Sequence, residues 1–592
     1  MEQTRRNFIK TAATAVGGLS IASHTVVAES VSEDQFLVDT QSTDTDAWRD
    51  QVAIVDEADS IGFASVEGTE SDLEGYGLDF APEIELSLEP PAVEGASPAD
   101  ADGELPADVH LDADADDSDT PGPHPYQWSN KEQNIESIHQ DGITGDGATV
   151  AIVDSGIDAS HPELNVNTAD SGNFSTDDDI GTSLGSSHGT HCAGIAAATG
   201  DRASEGGPYA VGVAPDAELL DMKVFPFKSS ASILAAAETA IDRGADAINL
   251  SLGPASPVPP SISQHLSETA YQRLGEIAVE NDAVLVESAG NSDINIDEFE
   301  PQTTNTGKGT HEGWLSVSAT GPHSIPDAPD GAPLPFIYPP EDGDGDGEPD
   351  YGSIIPHHAP SYYTSYGPES VDVSAPGGNA SGSGSLWDGV FSTLSSKVDG
   401  YGFVRTGPGG GSGIYGGSGI YGTLHGTSMA APHVTGLVAV VKAQNPNATS
   451  AQIKEHIKNT AVEIQADYEN ADYFADESTT ADDVGNNILE DPYDFRTFRG
   501  DGHIDVARAG EKEIPFPGGI EVRGETVYPS DPDDDGLYED VNGDGVVDMD
   551  DVELLYQMAL YNLVPSSTHA FDFNGDGTFD MYDIQELVRR VE

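Results

Sequence analysis

Between residues 125 and 510 the chain alternates continuous apolar runs with helical patterns, and this alternation limits the fold more than any other feature. The runs typical of strands are Thr149–Val153, Leu219–Val224, Ala247–Leu252, Val284–Ser288, Leu315–Ala319 and Val371–Ser374. The helical patterns lie at Gly189–Ala198, Ile233–Arg243, His265–Glu280, Met429–Gln444 and Ala451–Asn459. Uninterrupted apolar runs are typical of strands that are buried on both faces of a sheet. The sequence therefore predicts an α/β fold, a parallel sheet with helices on both faces.

Composition divides the rest of the chain into smaller parts. Short apolar alternations at 35–93 predict a small α+β unit, and the Pro-, Ala- and Asp-rich stretch 94–123 predicts an exposed linker. Within 124–510, two stretches rich in Pro and Asp or in Gly and Ser, at about 321–363 and 377–421, are typical of surface insertions. A last, small domain is predicted at 528–592.

Four short motifs stand where strands end or helices begin. Asp154 follows an apolar run in the segment 153–158, and His188 opens a helix of small residues. Ser428 opens a second apolar helix within 426–433, and Asn291 follows a strand as the last residue of Ser-Ala-Gly-Asn. Each motif alone is common in proteins, but their order and their places relative to strands and helices form one pattern.

This pattern resembles the subtilisin-like (subtilase) serine proteases, of haloarchaeal type, over about residues 126 to 509. The resemblance implies a subtilisin-like fold and a catalytic triad of Asp154, His188 and Ser428. It extends to the segment that ends in Ser251, Leu252 and Gly253, which resembles the strand on which the family binds an extended peptide. A substrate would add there as an edge strand.

Each of these residue types has a chemical reason. A serine hydroxyl is a poor nucleophile until a base takes its proton, and His188 is the candidate base. Asp154 would hold the imidazole of His188 in one tautomer and stabilise its charged form. Asn291 and the backbone N–H of Ser428 would stabilise the developing oxyanion. The implied partners are protein or peptide substrates.

Two neighbours of His188 have other interpretations. His188 and His191 lack the His-Glu-x-x-His spacing that places two metal ligands on one helical face. The family resemblance implies that His188 is the catalytic residue and His191 a structural one. Cys192 is interpreted as a buried packing residue rather than a nucleophile. It is the one cysteine of the chain, so no intramolecular disulfide can form, and a bound metal is the candidate for added stability.

The first 28 residues are typical of an export signal. Paired arginines, Arg5 and Arg6, precede a short apolar stretch from Thr11 to Ala28. This resembles a twin-arginine signal, which implies a secreted, extracellular protein. A membrane anchor is the weaker interpretation, because the stretch is shorter and more polar than the ~20 apolar residues of a spanning helix.

Charge excludes some partners. The chain has 23 Lys and Arg against 105 Asp and Glu, a net charge of −82. Nucleic acid and anionic membranes would repel this surface, so neither is expected as a partner after export. Such a charge would destabilise the folded state by self-repulsion in dilute buffer, whereas molar salt screens it within about 3 Å. We therefore expect a protein adapted to high salt.

The last domain contains two aligned 12-residue acidic loops. Both have the oxygen-ligand spacing of calcium loops, with a backbone carbonyl at position 7 and Gly at position 6. The candidate Ca²⁺ ligands are Asp540, Asn542, Asp544, Val546, Asp548, Asp551, Asp572, Asn574, Asp576, Thr578, Asp580 and Asp583. A predicted helix follows each loop, and the repeat resembles a dockerin domain, which implies a possible cohesin-like partner.

Weaker calcium signals and several alternatives stay open. A partial loop begins at Asp531, and another acidic loop lies at 342–350. The unit at 35–93 stands where subtilases usually carry an inhibitory prodomain, although a stable accessory domain is the alternative. The whole chain is predicted to be a serine endopeptidase. The competing functions are a calcium-dependent binding protein with an inactive protease domain, and a dedicated processing protease.

Overall fold

A computed structural model gives the fold. It describes residues 31–43, 45–84, 86–87, 123, 127–176, 180, 187–205, 209–254, 260–297, 313–321, 360–361, 363–378, 389–396, 413–416, 419–462, 496–512, 514, 519–531, 537–561, 563–564, 569–575 and 577–591. Several predictions lie outside these residues: the export signal 1–28, the linker up to residue 122, most of the insertion 321–363 with its acidic loop, and Asp576.

The N-terminal unit, residues 31–87, is built on a four-stranded antiparallel sheet of order β2-β3-β1-β4. Its elements are β1 Val31–Asp39, β2 Ala53–Ala58, β3 Phe63–Glu67, helix α1 Glu70–Leu73, β4 Asp79–Ile84 and β5 Leu86–Ser87. Phe36, Val38 and Trp48 fill a small core on one face of this sheet. The small α+β unit predicted from the alternating pattern is confirmed.

The central domain, residues 127–512, contains seven parallel strands in the order β13-β12-β11-β9-β6-β8-β7. Their bounds are β6 Thr149–Asp154, β7 Gly172–Asn173, β8 Glu218–Lys223, β9 Ala247–Leu250, β11 Val284–Ser288, β12 Trp314–Thr320 and β13 Val373–Pro376; the short β10 is Gly253–Pro254. The six predicted strands lie within two residues of these bounds. The two-residue β7 was not predicted, because it has no apolar run.

Helices cover both faces of this sheet, as predicted. They are α2 Trp128–Glu132, α3 Ile135–Gln140, α4 His188–Ala197, α5 Ser230–Asp242, α6 Pro260–Glu280, α7 Thr427–Gln444, α8 Ser450–Thr460, α9 Arg496–Arg499 and α10 Val506–Glu511. Helix α5 begins three residues before its predicted start because the Ser229 side chain accepts a hydrogen bond from the backbone N–H of Ser232. Helix α6 begins at Pro260, a residue that suits a first helical position.

Alternate residues of β6 face the helices on opposite sides of the sheet. Val150 and Ile152 lie in the core shared with α4 and α7, while Ala151 and Val153 lie in the core shared with α5 and α6. The second core also takes in Leu37 and Phe63 of the N-terminal unit, which therefore packs on α5 and α6. Sheet, helices and N-terminal unit form three successive layers there.

The stretch 377–421 corrects one prediction. Its described parts are not a surface insertion, because they enter a three-stranded antiparallel sheet of β14 Val390–Leu394, β15 Gly413–Gly416 and β16 Gly419–Leu424. All five residues of β14 are buried. Gly and Ser dominate the composition around β14, so its short apolar core was not distinguished from loop.

The C-terminal unit begins at Ile520, earlier than the predicted start at 528. A hairpin of β17 Ile520–Val522 and β18 Glu525–Val527 packs in the same core as α11 Met549–Tyr561 and α12 Met581–Val591. The predicted helix after each acidic loop is confirmed. Tyr556 of α11 is 44% exposed. Among the described helices, none has the length and apolar character needed to cross a bilayer.

Candidate active site

Three neighbouring strands bring Asp154, Ser251 and Asn291 to one edge of the sheet, and helix α7 carries Ser428. Asp154 is the last residue of β6, Ser251 follows β9, and Asn291 lies three residues beyond β11. Because β6, β9 and β11 are parallel neighbours, their carboxyl ends lie side by side. Ser428 is the second residue of α7. This edge is where open α/β sheets bind ligands.

Asp154 and His188 form a directly bonded pair. The Nδ1 atom of His188 lies 2.8 Å from Oδ2 and 3.0 Å from Oδ1 of Asp154. Asp154 is fully buried and also accepts a hydrogen bond from the backbone N–H of Ser155 at 2.6 Å. Gly189 permits this approach, since a Cβ there would lie 2.8 Å from the carbonyl oxygen of Gly156. With Nδ1–H donating to Asp154, Nε2 is the ring nitrogen of His188 that would accept a proton in catalysis.

The electrostatics of this pair favour a charged imidazole. Burial by itself lowers the pKa of His188, but the neighbouring carboxylate of Asp154 outweighs burial and raises the pKa well above 6.5. The side chain of His188 is 11% exposed, so it still reaches the cleft. A raised pKa makes the imidazole a stronger base once it is neutral.

The backbone carbonyl oxygen of Ser428 accepts hydrogen bonds from side chains of other elements instead of from its own helix. Pro432 has no N–H to donate to the carbonyl four residues earlier in α7, which leaves the oxygen of Ser428 without its helical donor. Ser251 Oγ donates to that oxygen at 3.1 Å and Cys192 Sγ at 3.3 Å. The hydroxyl of Ser428 donates to the carbonyl oxygen of Ser251 at 3.4 Å.

The amide of Asn291 is oriented by Thr427. Both the backbone N–H and the hydroxyl of Thr427 donate to Asn291 Oδ1 at 2.9 Å, so the amide nitrogen must point the other way. The Thr427 hydroxyl in turn accepts from the N–H of Gly290 at 3.1 Å. A Cβ built on Gly426, whose φ is +149°, would lie 3.5 Å from both Asn291 Nδ2 and the backbone nitrogen of Ser428. Two N–H donors therefore flank one small space beside Ser428, which suits an oxyanion.

Cys192 and His191 lie on α4 next to the pair. Cys192 is fully buried, as predicted, and burial raises the pKa of its thiol, which keeps it protonated. Its Sγ lies 3.8 Å from Nδ1 of His188. His191 contacts the carbonyl oxygens of Val390 and Gly422 through Nε2, and burial lowers its pKa to about 3. His191 is therefore neutral and connects α4 to β14 and β16 through these contacts.

The predicted substrate strand already has a partner. Strand β9 ends at Leu250, and Ser251 and Leu252 lead into β10. There Gly253 pairs with Ser87 and Pro254 with Leu86 in antiparallel register. The end of the N-terminal unit therefore occupies the edge at which an extended peptide was expected.

The sequence motifs did not identify the supporting residues. Thr427, Pro432 and Ser155 lie within four residues of a triad member, yet their roles depend on hydrogen bonds that motif spacing does not encode. The missing N–H of Pro432 is the one signal that could have been used, because it predicts an unsatisfied carbonyl at Ser428.

The first acidic loop has the donor set of a calcium site. Asp540 and Asp551 are fully buried, and Asp540 accepts hydrogen bonds from the N–H groups of Gly543, Asp544 and Gly545. The pKa of Asp551 is raised by burial and also by the neighbouring Asp540. These oxygen donors fit Ca²⁺ in type and charge.

The second loop repeats this geometry. Asn574 N–H donates to Asp583 Oδ1, and Asp580 N–H donates to Asp583 Oδ2, just as in the first loop. Among the described residues, only Asp154, His188 and Cys192 bring three candidate ligand atoms within 4.8 Å of one another.

Comparisons with known proteins match two parts of the chain. The subtilase family matches residues 145–493, and the dockerin type I domain matches residues 538–592. Subtilisin amylosacchariticus of Bacillus subtilis subsp. amylosacchariticus is 30% identical over 328 residues, which are 55% of this chain and 63% of that protein. Subtilisin Savinase of Lederbergia lenta is 28% identical over 343 residues, 57% of this chain and 91% of that protein.

Solved structures share the fold. Fervidolysin from Fervidobacterium pennivorans, a keratinolytic enzyme related to subtilisin, matches with a TM-score of 0.51 and 21% identity over 84% of this chain and 63% of its own. The epidermin leader peptide processing serine protease of Staphylococcus aureus matches with a TM-score of 0.51 and 16% identity over 81% of this chain and 98% of its own. The predicted subtilisin-like fold is confirmed.

Proposed function

This chain belongs to the subtilase family, and we propose that it is a secreted serine endopeptidase adapted to high salt. The observation that carries the proposal is the pairing of buried Asp154 with His188 at 2.8 Å, at the sheet edge where Ser428 opens a helix. An inactive relative would have no need to keep a buried carboxylate against an imidazole, since burial of a charge is costly.

In the proposed reaction Ser428 Oγ attacks the substrate carbonyl carbon while Nε2 of His188 takes its proton. Asn291 Nδ2 and the backbone N–H of Ser428 stabilise the oxyanion, and Asp154 stabilises the imidazolium. The C–N bond then breaks as His188 protonates the leaving amine. Water hydrolyses the acyl-enzyme by the same proton transfers in reverse order, which restores the free hydroxyl.

We infer that peptide substrates bind along Ser251, Leu252 and Gly253. Antiparallel pairing of Gly253 with Ser87 supports this, because a strand of the same chain already uses that edge. The same contact supports an inhibitory prodomain rather than an accessory domain. Removal of the N-terminal unit would then be needed for activity, and mass spectrometry of the active enzyme should find no residue of 31–87.

We further propose that the C-terminal unit is a calcium-stabilised dockerin with a cohesin-like partner. Most of the large exposed apolar side chains in the described residues lie in this unit, among them Met549, Leu560 and Tyr582. Exposed apolar groups that gather in one small domain mark an interaction surface. Bound calcium would supply positive charge to the two acidic loops.

We also propose that the protein is exported by the twin-arginine route and that it is of haloarchaeal type. Arg5 and Arg6 support the route, which carries folded proteins, and the net charge of −82 supports the high-salt setting. Recovery of the mature chain from the medium, and its loss when both arginines are changed to lysine, would test the export step.

Active-site labelling tests the central proposal. Purified protein without its N-terminal unit is incubated with phenylmethylsulfonyl fluoride in high salt and calcium, and the adduct is mapped by peptide mass spectrometry. We expect an adduct on Ser428 that is absent in His188→Ala. Folded protein that takes up no label would favour the calcium-dependent binding protein. Labelled enzyme that leaves unfolded casein intact would favour a dedicated processing protease.

A further inference from the structure

The loop after Asp154 contains a buried carboxylate that the proposed reaction does not use. Asp158 follows Asp154 by four residues and is fully buried. Its Oδ2 accepts hydrogen bonds from the hydroxyl of Ser395 at 3.1 Å, and from the hydroxyl and the backbone N–H of Ser396 at 3.0 and 3.1 Å. Its Oδ1 accepts from the hydroxyl and the backbone N–H of Ser160. Two of these three serines lie directly after β14, so Asp158 attaches the end of that strand to the loop.

The same loop contacts the first turn of α4. The backbone N–H of Asp158 donates to Thr190 Oγ1 at 3.0 Å, and Ser155 Oγ accepts from the N–H of Gly189 at 3.0 Å. Gly189 and Thr190 are the two residues after His188. The loop therefore supports the helical turn that carries His188.

Strand β14 and the residue after it contact that turn as well. Thr393 Oγ1 donates to the carbonyl oxygen of Thr190 at 2.8 Å. The N–H of Ser395 donates to Ser187 Oγ at 3.2 Å, and the side chain of Ser187 makes no capping hydrogen bond to α4. Because Ser187 and Thr190 lie on either side of His188, these contacts hold the start of α4 in place of a side-chain cap.

The position of this turn decides what His188 can do. In the proposed reaction Nδ1 must stay on Asp154 while Nε2 faces Ser428, and the backbone of α4 sets both distances. A misplacement of a catalytic group by about 1 Å can cost about 100-fold in rate. The loop, the turn and the end of β14 form one connected set of hydrogen bonds that resists such a displacement.

We propose that Asp158 is a positioning residue for His188, on which it acts through Thr190 and through Ser395 after β14. The inference rests on the proposed peptidase function and deepens it. Asp158 exchanges no proton and touches no substrate. It keeps the imidazole of His188 where the reaction needs it.

Asp158→Asn tests the proposal in the enzyme recovered without its N-terminal unit. An amide has one acceptor oxygen, so in either orientation the backbone N–H of Ser160 or that of Ser396 loses its acceptor. Hydrolysis of a peptide amide in high salt and calcium gives kcat and KM, and calorimetric unfolding gives the folded fraction. We expect kcat per folded molecule to fall at least about tenfold, with KM within about twofold of the parent.

Asp372→Asn is the matched control. Asp372 is also a buried carboxylate that accepts a backbone N–H, that of Ser316 at 2.9 Å. It lies directly before β13, whereas Asp154 ends β6, so the two lie at opposite ends of the parallel sheet. We expect this variant to lose stability but to keep the kcat of the parent per folded molecule.

A second pair of variants changes no charge. Thr393→Val removes the hydroxyl that donates to the carbonyl of Thr190, and Thr393→Ser keeps it. We expect valine to lower kcat about 3- to 10-fold, the range of one net hydrogen bond, and serine to stay within about twofold of the parent.

The pH profile separates position from general stability. Burial lowers the pKa of His188, and Asp154 would raise it less once the ring is displaced. The acid limb of kcat/KM should therefore move towards 6.5 in Asp158→Asn and in Thr393→Val, but not in Asp372→Asn. Since Thr393→Val changes no charge, its shift reports the position of the ring alone.

The proposal is overturned if Asp158→Asn loses no more kcat per folded molecule than Asp372→Asn does. If Asp158→Asn does not fold, the Thr393 pair decides, and equal kcat with equal acid limbs for valine and serine overturns the proposal. A parent that hydrolyses no peptide and takes no label on Ser428 refutes the peptidase function and this inference with it, whereas an active parent leaves that function standing.

Discussion

Replacement of Thr427 by valine tests whether the oxyanion donor depends on a neighbouring hydroxyl. The substitution keeps the shape of the side chain but removes the 2.9 Å bond to Asn291 Oδ1 and the acceptor for the N–H of Gly290. A net hydrogen bond contributes about 0.5–1.5 kcal/mol, and complete loss of one oxyanion donor costs about 2.7–4 kcal/mol. The backbone N–H of Thr427 still holds Asn291, so we expect an intermediate loss of about 1–2 kcal/mol of transition-state stabilisation.

That loss should appear in kcat. One to two kcal/mol corresponds to a fall of about 5- to 30-fold, whereas KM should stay within about twofold, because the oxyanion forms only in the transition state. Steady-state hydrolysis of a peptide amide in high salt and calcium measures both constants. Thr427→Ser keeps the hydroxyl and serves as the control. A valine variant with unchanged kcat, or with its whole loss in KM, would refute the positioning role of Thr427.

Four other predictions follow from the described contacts. His188 must be neutral to accept a proton, and Asp154 raises its pKa well above 6.5 against the effect of burial, so activity should rise with pH through that raised value. A pH profile of kcat/KM whose acid limb lies below 6.5 would contradict this. The stabilisation that comes from charged His188 has the opposite sign, being complete below pH 6.5 and lost as pH rises through the folded-state pKa. Arg273→Met removes an ion pair with Asp39 that has two hydrogen bonds, of 2.8 and 3.0 Å, and is largely shielded from solvent. We expect this change to weaken the attachment of the N-terminal unit by about 1–2 kcal/mol. The lag before activity appears should then shorten, and an unchanged lag would count against inhibition by this unit. Chelation of calcium should lower the stability of the C-terminal unit by about 2.7 kcal/mol if the ion had been present at a hundred times its Kd, as calorimetry would detect. Dilution from molar salt should release both terminal units before the central sheet unfolds, which hydrogen exchange by segment can follow.

The central sheet could be predicted because its signal is local. Strand β6 is apolar from end to end, since both of its faces are buried, and helix α4 opens with small residues directly before a packed core. Strand β14 could not be predicted, although all of it is buried. Its burial depends on contact with α4, which is about two hundred residues earlier in the chain. No short sequence pattern around Val390–Leu394 can therefore predict this strand.

The residues of the candidate site also divide into those that the sequence could predict and those that it could not. Asp154, His188, Asn291 and Ser428 were identified because each chemistry-bearing residue stands at a strand end or a helix start. The Ser251 hydroxyl and the Cys192 thiol, which together hold the carbonyl of Ser428, lie 177 and 236 residues away from it along the chain. Contacts of such range are set by the fold, and the same holds for the strand of the N-terminal unit that pairs with β10.

Two cations of the described residues lie where the N-terminal unit meets the central domain. Arg273 and Lys228 bind Asp39 and Asp56 of the N-terminal unit, with Lys228 Nζ at 2.8 Å from Asp56. At these distances no salt ion comes between the partners, so molar salt weakens the ion pairs far less than it screens the long-range repulsion between the units. In dilute buffer the repulsion returns in full, while the apolar core of the sheet loses little. We therefore expect the excess of carboxylates to act first on the joints between units, so that the salt concentration would decide whether the terminal units stay attached to the central domain.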